Sequence, residues 1–414
     1  MNRNEIQHEY NTNMETLFGF YFKWFRLAGV PLKLNKKSKL YNLYSTIMLL
    51  NAYSVVITIS VDMFLHFDDL ERIMENSRVI VPASSSLWVH MCIRFQKKAL
   101  ERMMHLASAF KYEDPQIRTP ADNSFRMTAL LTAIKPASLK VLAVSLGYHT
   151  FYIIIRLVAR EDRPLAINAY YGIDTSNSPF YEIINLSQFL MTTVCFPLFF
   201  GSTSLYVYVV TIACSQLEKL KAAILNINQK RDMDANFYQE KEERQIQVPQ
   251  EMFRHTQEHL NDCIRHHQQI LELMNALEES ASTILVCHFL LILGGTCFAA
   301  FSFVMSFGNP LNMAQSMLVY GSFMLQLYAY CWFGSELTRL AESVRDAAWS
   351  CDWVGLPLFI QRPLVFIIAV ANKEFTLTAG KFVPVSRTTM LNVINQTVSY
   401  VMFLMQVRNR EETV

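Results

Sequence analysis

Charge is scarce in this chain. Asp, Glu, Lys and Arg make up 17% of its 414 residues and apolar types 52%, whereas a soluble domain is about one-quarter charged. The deficit argues against an ordinary soluble fold and for a membrane one. With a net charge of +2 and no basic stripe, a nucleic-acid partner is not expected. No cleavable signal is visible, because Met1 to Tyr10 is polar and mixed in charge, so the first spanning helix is expected to act as its own insertion signal. Glycine is sparse too, at 12 residues. There is no Gly-rich phosphate loop, no Gly-x-Ser-x-Gly elbow and no pair of intramembrane carboxylates, so neither an enzyme nor a cofactor is expected. His255 and His259 lack the glutamate of a His-Glu-x-x-His site and, with His266 and His267, read as solvated or packing residues rather than metal ligands. The eight cysteines, Cys92, Cys195, Cys214, Cys263, Cys287, Cys297, Cys331 and Cys351, have no metal-like spacing and avoid every expected outside loop, which predicts free thiols.

What the chain does have is membrane-length apolar runs. Met14 to Val30 is too short and too charged to span, and reads as an interfacial helix capped by Asn13 or Thr16 and ended by Pro31. Spans are expected at Leu40–Val61, Ile73–Ile93 (with Pro82 inside), Lys140–Ala159, within Ile183–Leu217, Ala281–Val304, Met313–Phe333 and Thr388–Val407. The tail of the second continues as an amphipathic helix through Arg94, Lys97, Lys98 and Arg102. A helical lead-in with Arg118, Arg126 and Lys135 precedes the third, and an ordered loop, Arg160–Pro179, follows it. Lys230–Gln250 reads as a mobile charged segment, Met252–Ser280 as a polar helix entering span five, Gly308-Asn309-Pro310 as a tight turn, and Pro357 and Pro363 as brackets of another.

The last span carries the most information. It is uncharged, yet Asn392, Asn395, Ser399, Phe403 and Gln406 recur at steps of 3, 4, 4 and 3. On a helix they fall within roughly 80° of arc. Amides are costly in hydrocarbon, so this edge meets protein or water. Two readings stay open. One is interhelical hydrogen bonding within a bundle; the other is a water-filled pore, which one helix cannot enclose and which needs several copies about an axis.

The lysine clusters lie before span one and between spans two and three and four and five, placing the amino terminus in the cytoplasm and the carboxyl tail outside. A G-protein-coupled receptor has the opposite orientation, and no Asp-Arg-Tyr or Asn-Pro-x-x-Tyr motif is present. A secondary transporter calls for intramembrane charge or an inverted repeat, and neither is seen in the later spans. These two classes, for a small apolar ligand, are the alternatives.

Ser399-Tyr400, five apolar residues and Gln406 resemble the Thr-Tyr-(five apolar)-Gln-Phe signature of the insect chemoreceptor superfamily, with Ser399 for Thr and Val407 for Phe. Tyr330-Cys331-x-x-Gly334, followed by Ser343, Val344, Ala347, Trp349, Ser350 and Trp353, resembles the odorant-receptor branch. Ile264-x-x-His267-x-x-Ile270-Leu271 fits that branch as well, as does Asp174-x-x-x-Ser178-Pro179-x-Tyr181 with Gln188.

The resemblance implies an all-α membrane protein of seven transmembrane helices with a cytoplasmic helical anchor and a pore-lining last helix. It implies an odorant-gated, non-selective cation channel of four subunits in the plasma membrane of a sensory neuron dendrite, partnered by a volatile odorant, permeant cations, lipid and an odorant-receptor co-receptor or further copies of itself. The short Lys230–Gln250 stretch marks a ligand-tuned subunit rather than the co-receptor. The expected divisions are 1–39 (amino-terminal segment), 40–217 (ligand bundle), 218–280 (cytoplasmic extension and lead-in), 281–336 (spans five and six), 337–385 (anchor) and 386–414 (pore helix and tail). By resemblance the anchor takes in Lys219–Asn228, Met252–Ser280, Glu336–Asp352 and Leu364–Ala371. Pore and gate residues are then Asn392, Asn395, Ser399, Phe403, Gln406 and Val407, Phe403 standing where the family has a smaller aliphatic. The odorant is expected in an apolar cavity with few polar groups, among spans two (Val81, Ser84, Ser85, Trp88), three (Gly147, Tyr148, Phe151), four (Met191, Thr192, Cys195, Phe196) and six (Tyr320, Met324).

Overall fold

A computed structural model describes residues 3–30, 32, 39–110, 126–158, 164–239, 248–306, 310–351, 353 and 357–411. Apart from loops and one hairpin, the described chain is helical: α1 (Arg3–Leu27), α2 (Lys39–Leu65), α3 (Leu70–Phe95), α4 (Lys97–Ser108), α5 (Arg126–Val158), α6 (Phe180–Gln239), α7 (Val248–Met305), α8 (Pro310–Ser350), α9 (Leu358–Ala371), β1 (Thr378–Ala379), β2 (Val383–Pro384) and α10 (Arg387–Glu411). By length and composition, four stretches suit a membrane crossing: Lys39–Leu65, Met127–Ile155, Phe180–Leu225 and Thr256–Met305.

Three helices outrun any bilayer. α6, α7 and α8 have 60, 58 and 41 residues, or roughly 90, 87 and 60 Å at 1.5 Å per residue, against a hydrocarbon core of about 30 Å. The 35-residue uncharged run from Ile183 to Leu217 is therefore accommodated by extension. That extension corrects the expected mobile segment, since residues 230–239 belong to α6 and 240–247 lie outside the described residues. Arg118 and the turn at Gly308 and Asn309 also lie outside them.

α1 corrects another expectation. It begins well before Asn13 and Thr16, and its aromatic face turns into the bundle instead of resting on lipid, with Phe18, Tyr21 and Phe25 fully buried. Tyr21 Oη donates to Ser204 O (3.1 Å) and Trp24 Nε1 to Pro197 O (2.9 Å), so both polar tips are satisfied inside. Gly201 makes the room, since a Cβ there would come within 3.0 Å of the Trp24 indole nitrogen. Two smaller corrections concern helix ends. The helix of span two breaks at Gln96 before α4 restarts it. Pro357 precedes the first residue of α9 while Pro363 lies inside that helix, so the pair does not bracket a turn.

The outer loop is strapped down. Gln188, fully buried on α6, accepts from Ile167 N and donates to Ile167 O, both at 2.9 Å. Asn185 Oδ1 takes Ala166 N (2.9 Å) and Asn168 Nδ2 donates to Glu75 on α3 (2.9 Å). Asp174 accepts from Ser176 and Asn177, closing the turn ahead of α6. Nearby, buried Asp62 of α2 takes Arg72 Nε (2.9 Å) and Asn76 Nδ2 (2.9 Å) from α3.

The hairpin has a sequence signal in Gly380-Lys381, two consecutive residues with positive φ (65° and 66°) at its turn. It fastens the start of α10 to α7. Thr378 N and Oγ1 donate to the Glu278 carboxylate, Gly380 N to Ser282 O (2.9 Å) and Lys381 N to Ser282 Oγ (3.1 Å).

Candidate ligand cavity and outward polar helix

Helices α3, α5, α6 and α8 enclose about 80 Å³ of space. α3 lines it with Arg78, Val79, Pro82, Ala83 and Ser86, and α8 with Gln315, Leu318, Val319, Ser322 and Phe323. α5 contributes Ser145, Tyr148, His149 and Tyr152, one face at helical spacing. α6 contributes Met191, Thr192, Cys195, Phe196, Phe199 and Phe200. The wall is aromatic and apolar, and most of its polar atoms are already engaged. Ser86 Oγ donates to the carbonyls of Pro82 or Cys195, Thr192 Oγ1 to Phe189 O, and Ser322 Oγ to Leu318 O. Arg78, buried within α3, reaches Met74 O, Asn312 O and Gln315 Oε1 (3.3, 3.3 and 3.0 Å), with Glu75 3.9 Å away.

Five of the thirteen expected pocket residues line this cavity: Tyr148, Met191, Thr192, Cys195 and Phe196. The other eight do not. Ser85 Oγ lies 3.2 Å from His288 Nδ1, and Val81 Cγ1 sits 3.0 Å from where a Gly295 Cβ would be, so that edge of α3 faces α7. Ser84 and Trp88, on the same helix, are outside the lining. Gly147 and Phe151 point outward, Phe151 at 56% exposure. Met324 packs against the apolar core and Tyr320 is half-buried beside it. Sequence reasoning missed Arg78, His149, Tyr152, Phe199, Gln315 and Phe323. Of these, Arg78 had a signal, a charge in a membrane-length helix.

Beneath the cavity lies a buried polar chain. Phe199 and Phe323 meet edge to face (5.7 Å) and form its floor, and His288 stacks on Phe199 (6.0 Å). Gln326 accepts from or faces His288 Nε2 at 3.0 Å and donates to Phe199 O at 2.9 Å. Tyr330 packs edge-on to His288, its hydroxyl 2.8 Å from Thr203 Oγ1, while Tyr206 Oη donates to Tyr330 O (3.3 Å). One turn on, Gly334 meets the backbone leading into α10: a Cβ there would lie 2.6 Å from Val385 O.

On α10, Val393 and Thr397 are buried against the protomer, and Thr397 Oγ1 lies 3.1 Å from Thr296 Oγ1 of α7. Asn392, Asn395, Ser399, Phe403 and Gln406 are all exposed. At 100° per residue the two sets lie on roughly opposite sides of the helix. Ser399 Oγ donates to Asn395 O within the helix (3.0 Å). The Val407 side chain lies outside the described residues.

The sequence pattern described as 7tm Odorant receptor matches residues 69–398. The chain belongs to that family. Its sequence is 22% identical over 242 residues to Odorant receptor Or2 of Anopheles gambiae and 25% identical over 260 residues to Odorant receptor 2a of Drosophila melanogaster. Those stretches are 58% and 61% of this chain and 60% and 62% of the relatives, so the chain spans about three-fifths of the length of the curated relatives it matches. The structure is similar to that of the insect olfactory receptor OR5 from Machilis hrabei, solved in complex with eugenol, with a TM-score of 0.77 at 15% identity over 96% of this chain and 100% of that one. The fold is thus the family's seven-helix membrane fold, with α3, α8 and α10 joining the four strongly apolar crossings.

Family motifs acquire physical roles in this receptor. Gln188 straps the outer loop, Asp174 closes its turn, and Gly334 admits the backbone of Val385. His267 and Ile270 are buried on one face of α7.

Proposed function

We propose that this receptor is a ligand-tuned subunit of an odorant-gated, non-selective cation channel in the plasma membrane of a sensory neuron dendrite. The observation that carries the reading is the orientation of α10. Its five-residue stripe faces away from the protomer's own bundle, while Val393 and Thr397 hold the opposite face. Hydrogen bonding within one bundle therefore does not account for the amides. Four copies about an axis, some of them co-receptor, would bring such edges to a water-filled centre. Asn392, Asn395, Ser399 and Gln406 then line the pore, with Phe403 and Val407 in its narrow part. An apolar constriction excludes water until it widens, and the polar residues beside it carry hydrated ions. The amino terminus is cytoplasmic in this reading, residues 40–217 together with the cavity-lining part of α8 form the ligand bundle, and the cytoplasmic lengths of α6, α7 and α8 with α9 form the anchor.

A small volatile odorant in the α3/α5/α6/α8 cavity supplies the gating energy. The route to the pore runs from Phe199 and Phe323 through His288, Gln326 and Tyr330 to Gly334, Val385 and α10, a continuous set of packed groups. Gln406→Ala tests the pore. In cells that also express the co-receptor, it is expected to change conductance or ion selectivity and leave the ranking of odorants intact. Unaltered permeation removes Gln406 from the conduction path.

A further inference from the structure

Among the described residues lining the cavity, two side-chain polar atoms are buried with no hydrogen-bond partner: Tyr148 Oη and His149 Nε2. They are neighbours on α5 and both belong to the cavity wall. The Ser86, Thr192 and Ser322 hydroxyls are tied to helix carbonyls, and Arg78 is tied to Met74 O and to α8. An unpaired hydroxyl or ring nitrogen in an apolar enclosure costs free energy that a ligand atom can recover. Packing alone explains His149's ring, which lies against Phe196 with centroids 5.3 Å apart. It does not explain two unused polar atoms on neighbouring residues of a wall where the Ser86, Thr192 and Ser322 hydroxyls donate to helix carbonyls.

We infer that the cavity selects a small apolar volatile carrying one hydrogen-bonding oxygen, an alcohol, phenol or carbonyl compound, whose oxygen is held by Tyr148 Oη and His149 Nε2. The inference rests on the cavity being the odorant site. An alcohol or phenol satisfies both atoms at once, because its oxygen accepts from the tyrosine and its hydrogen goes to the imidazole nitrogen, or the reverse with the other tautomer. A carbonyl accepts from either. A hydrocarbon satisfies neither. The aromatic floor and walls take the apolar body in each case.

The test uses the full-length receptor with its co-receptor in voltage-clamped cells and a panel of volatiles in pairs matched for non-hydrogen atoms: phenol against toluene, 1-hexanol against heptane, and larger pairs of the same kind. An apolar cavity with no polar contact ranks the hydrocarbon of each pair first. The expected result is the reverse, and Tyr148→Phe, which removes one oxygen and keeps the ring, is expected to raise the half-maximal concentration of the oxygenated member about tenfold, the typical worth of one buried hydrogen bond. The hydrocarbon member is expected to stay put, which also serves as the folding control. His149→Phe is expected to act in the same direction. Equal shifts for both members, or none for either, overturn the inference and leave the channel reading standing. Silence of the surface-expressed wild-type receptor to every member of the panel sinks the odorant reading itself.

Discussion

Two helical glycines of this receptor make one sharp comparison. At Gly334 of α8 an added Cβ would lie 2.6 Å from Val385 O, 3.1 Å from Val385 Cγ1 and 3.4 Å from Tyr206 Oη, whereas at Gly321, on the same helix, it would meet nothing within 4 Å. Glycine in a helix interior costs about 1 kcal/mol relative to alanine. Gly321→Ala is therefore expected to stabilise slightly. Gly334→Ala carries the same gain, but its nearest neighbour is a backbone carbonyl that no rotamer change can move. Separation to ordinary contact means displacing Val385, and with it the entry to α10, by roughly 0.8 Å, and overpacking of this kind costs about 1–3 kcal/mol. The two variants are expected to differ by that amount, a factor of roughly 5–150 in an equilibrium constant. Melting curves of the detergent-solubilised assembly, followed by size-exclusion fluorescence, read the stability. Odorant dose–response curves of the surface-expressed receptor with its co-receptor read the proposed gating. Gly334→Ala is expected to melt below wild type and to shift the half-maximal concentration of every odorant by a common factor, leaving their order intact. Gly334→Ala melting at or above Gly321→Ala, with an unshifted dose–response, refutes the claim that this close approach links α8 to α10, the helix proposed to line the pore.

Two further outcomes follow from the same geometry. At Gly295 of α7 a Cβ would come within 2.7 Å of the Phe323 ring and 3.0 Å of Val81 Cγ1. Because Phe323 is a movable side chain on the cavity floor, Gly295→Ala is expected to push its ring toward the cavity and shift the response toward smaller odorants, by about tenfold for one methylene; an unchanged size preference counts against the floor. In the outer loop, hydrogen bonds from Ser176 and then Asn177 hold the Asp174 carboxyl below its usual range. A lowered native value favours the ionised form, so whatever order this carboxylate gives the turn is complete above the ordinary aspartate pKa of about 4 and is lost as outside pH falls below it. Hydrogen exchange in residues 174–179 is expected to be pH-independent near neutrality apart from intrinsic exchange, and Asp174→Asn is expected to abolish the acid dependence.

How much was legible in the sequence depended on whether a residue pattern carried a phase. The middle of α10 is apolar apart from one stripe, so its polar residues fixed a direction, and that stripe lies on the exposed side of the helix, away from buried Val393 and Thr397. The uncharged run in α6 revealed its unusual length. The cavity helices gave no such phase, being apolar on several sides. The α3 residues chosen, Val81, Ser84, Ser85 and Trp88, share an edge, but it is the edge facing α7, and Arg78 was the better pointer. α1 was misread because an aromatic face suits lipid headgroups and a protein groove equally; the deciding feature, Gly201 beneath Trp24, lies far away in sequence. The hairpin leaves little trace in the sequence, because two-residue strands are too short for alternation and only Gly380-Lys381 marks it.

Ligand size also constrains how the proposed gate is balanced. A small volatile such as phenol or 1-hexanol has roughly seven non-hydrogen atoms. Even at ~1 kcal/mol per atom, such a ligand binds with only about 6–8 kcal/mol in all. Driving a gate from 1% to 99% open takes about 5.5 kcal/mol of difference between the states, so nearly every contact would have to exist in the open state alone. The wall argues against that, because Ser86, Thr192 and Ser322 are fastened to helix carbonyls and Arg78 to α8. What remains to differ between states is one or two hydrogen bonds and part of the floor packing, about 2–3 kcal/mol, a shift of roughly 30–150-fold. A single occupied subunit therefore works on a gate already close to balance or grades its opening, and steeper responses require several occupied subunits acting on one pore.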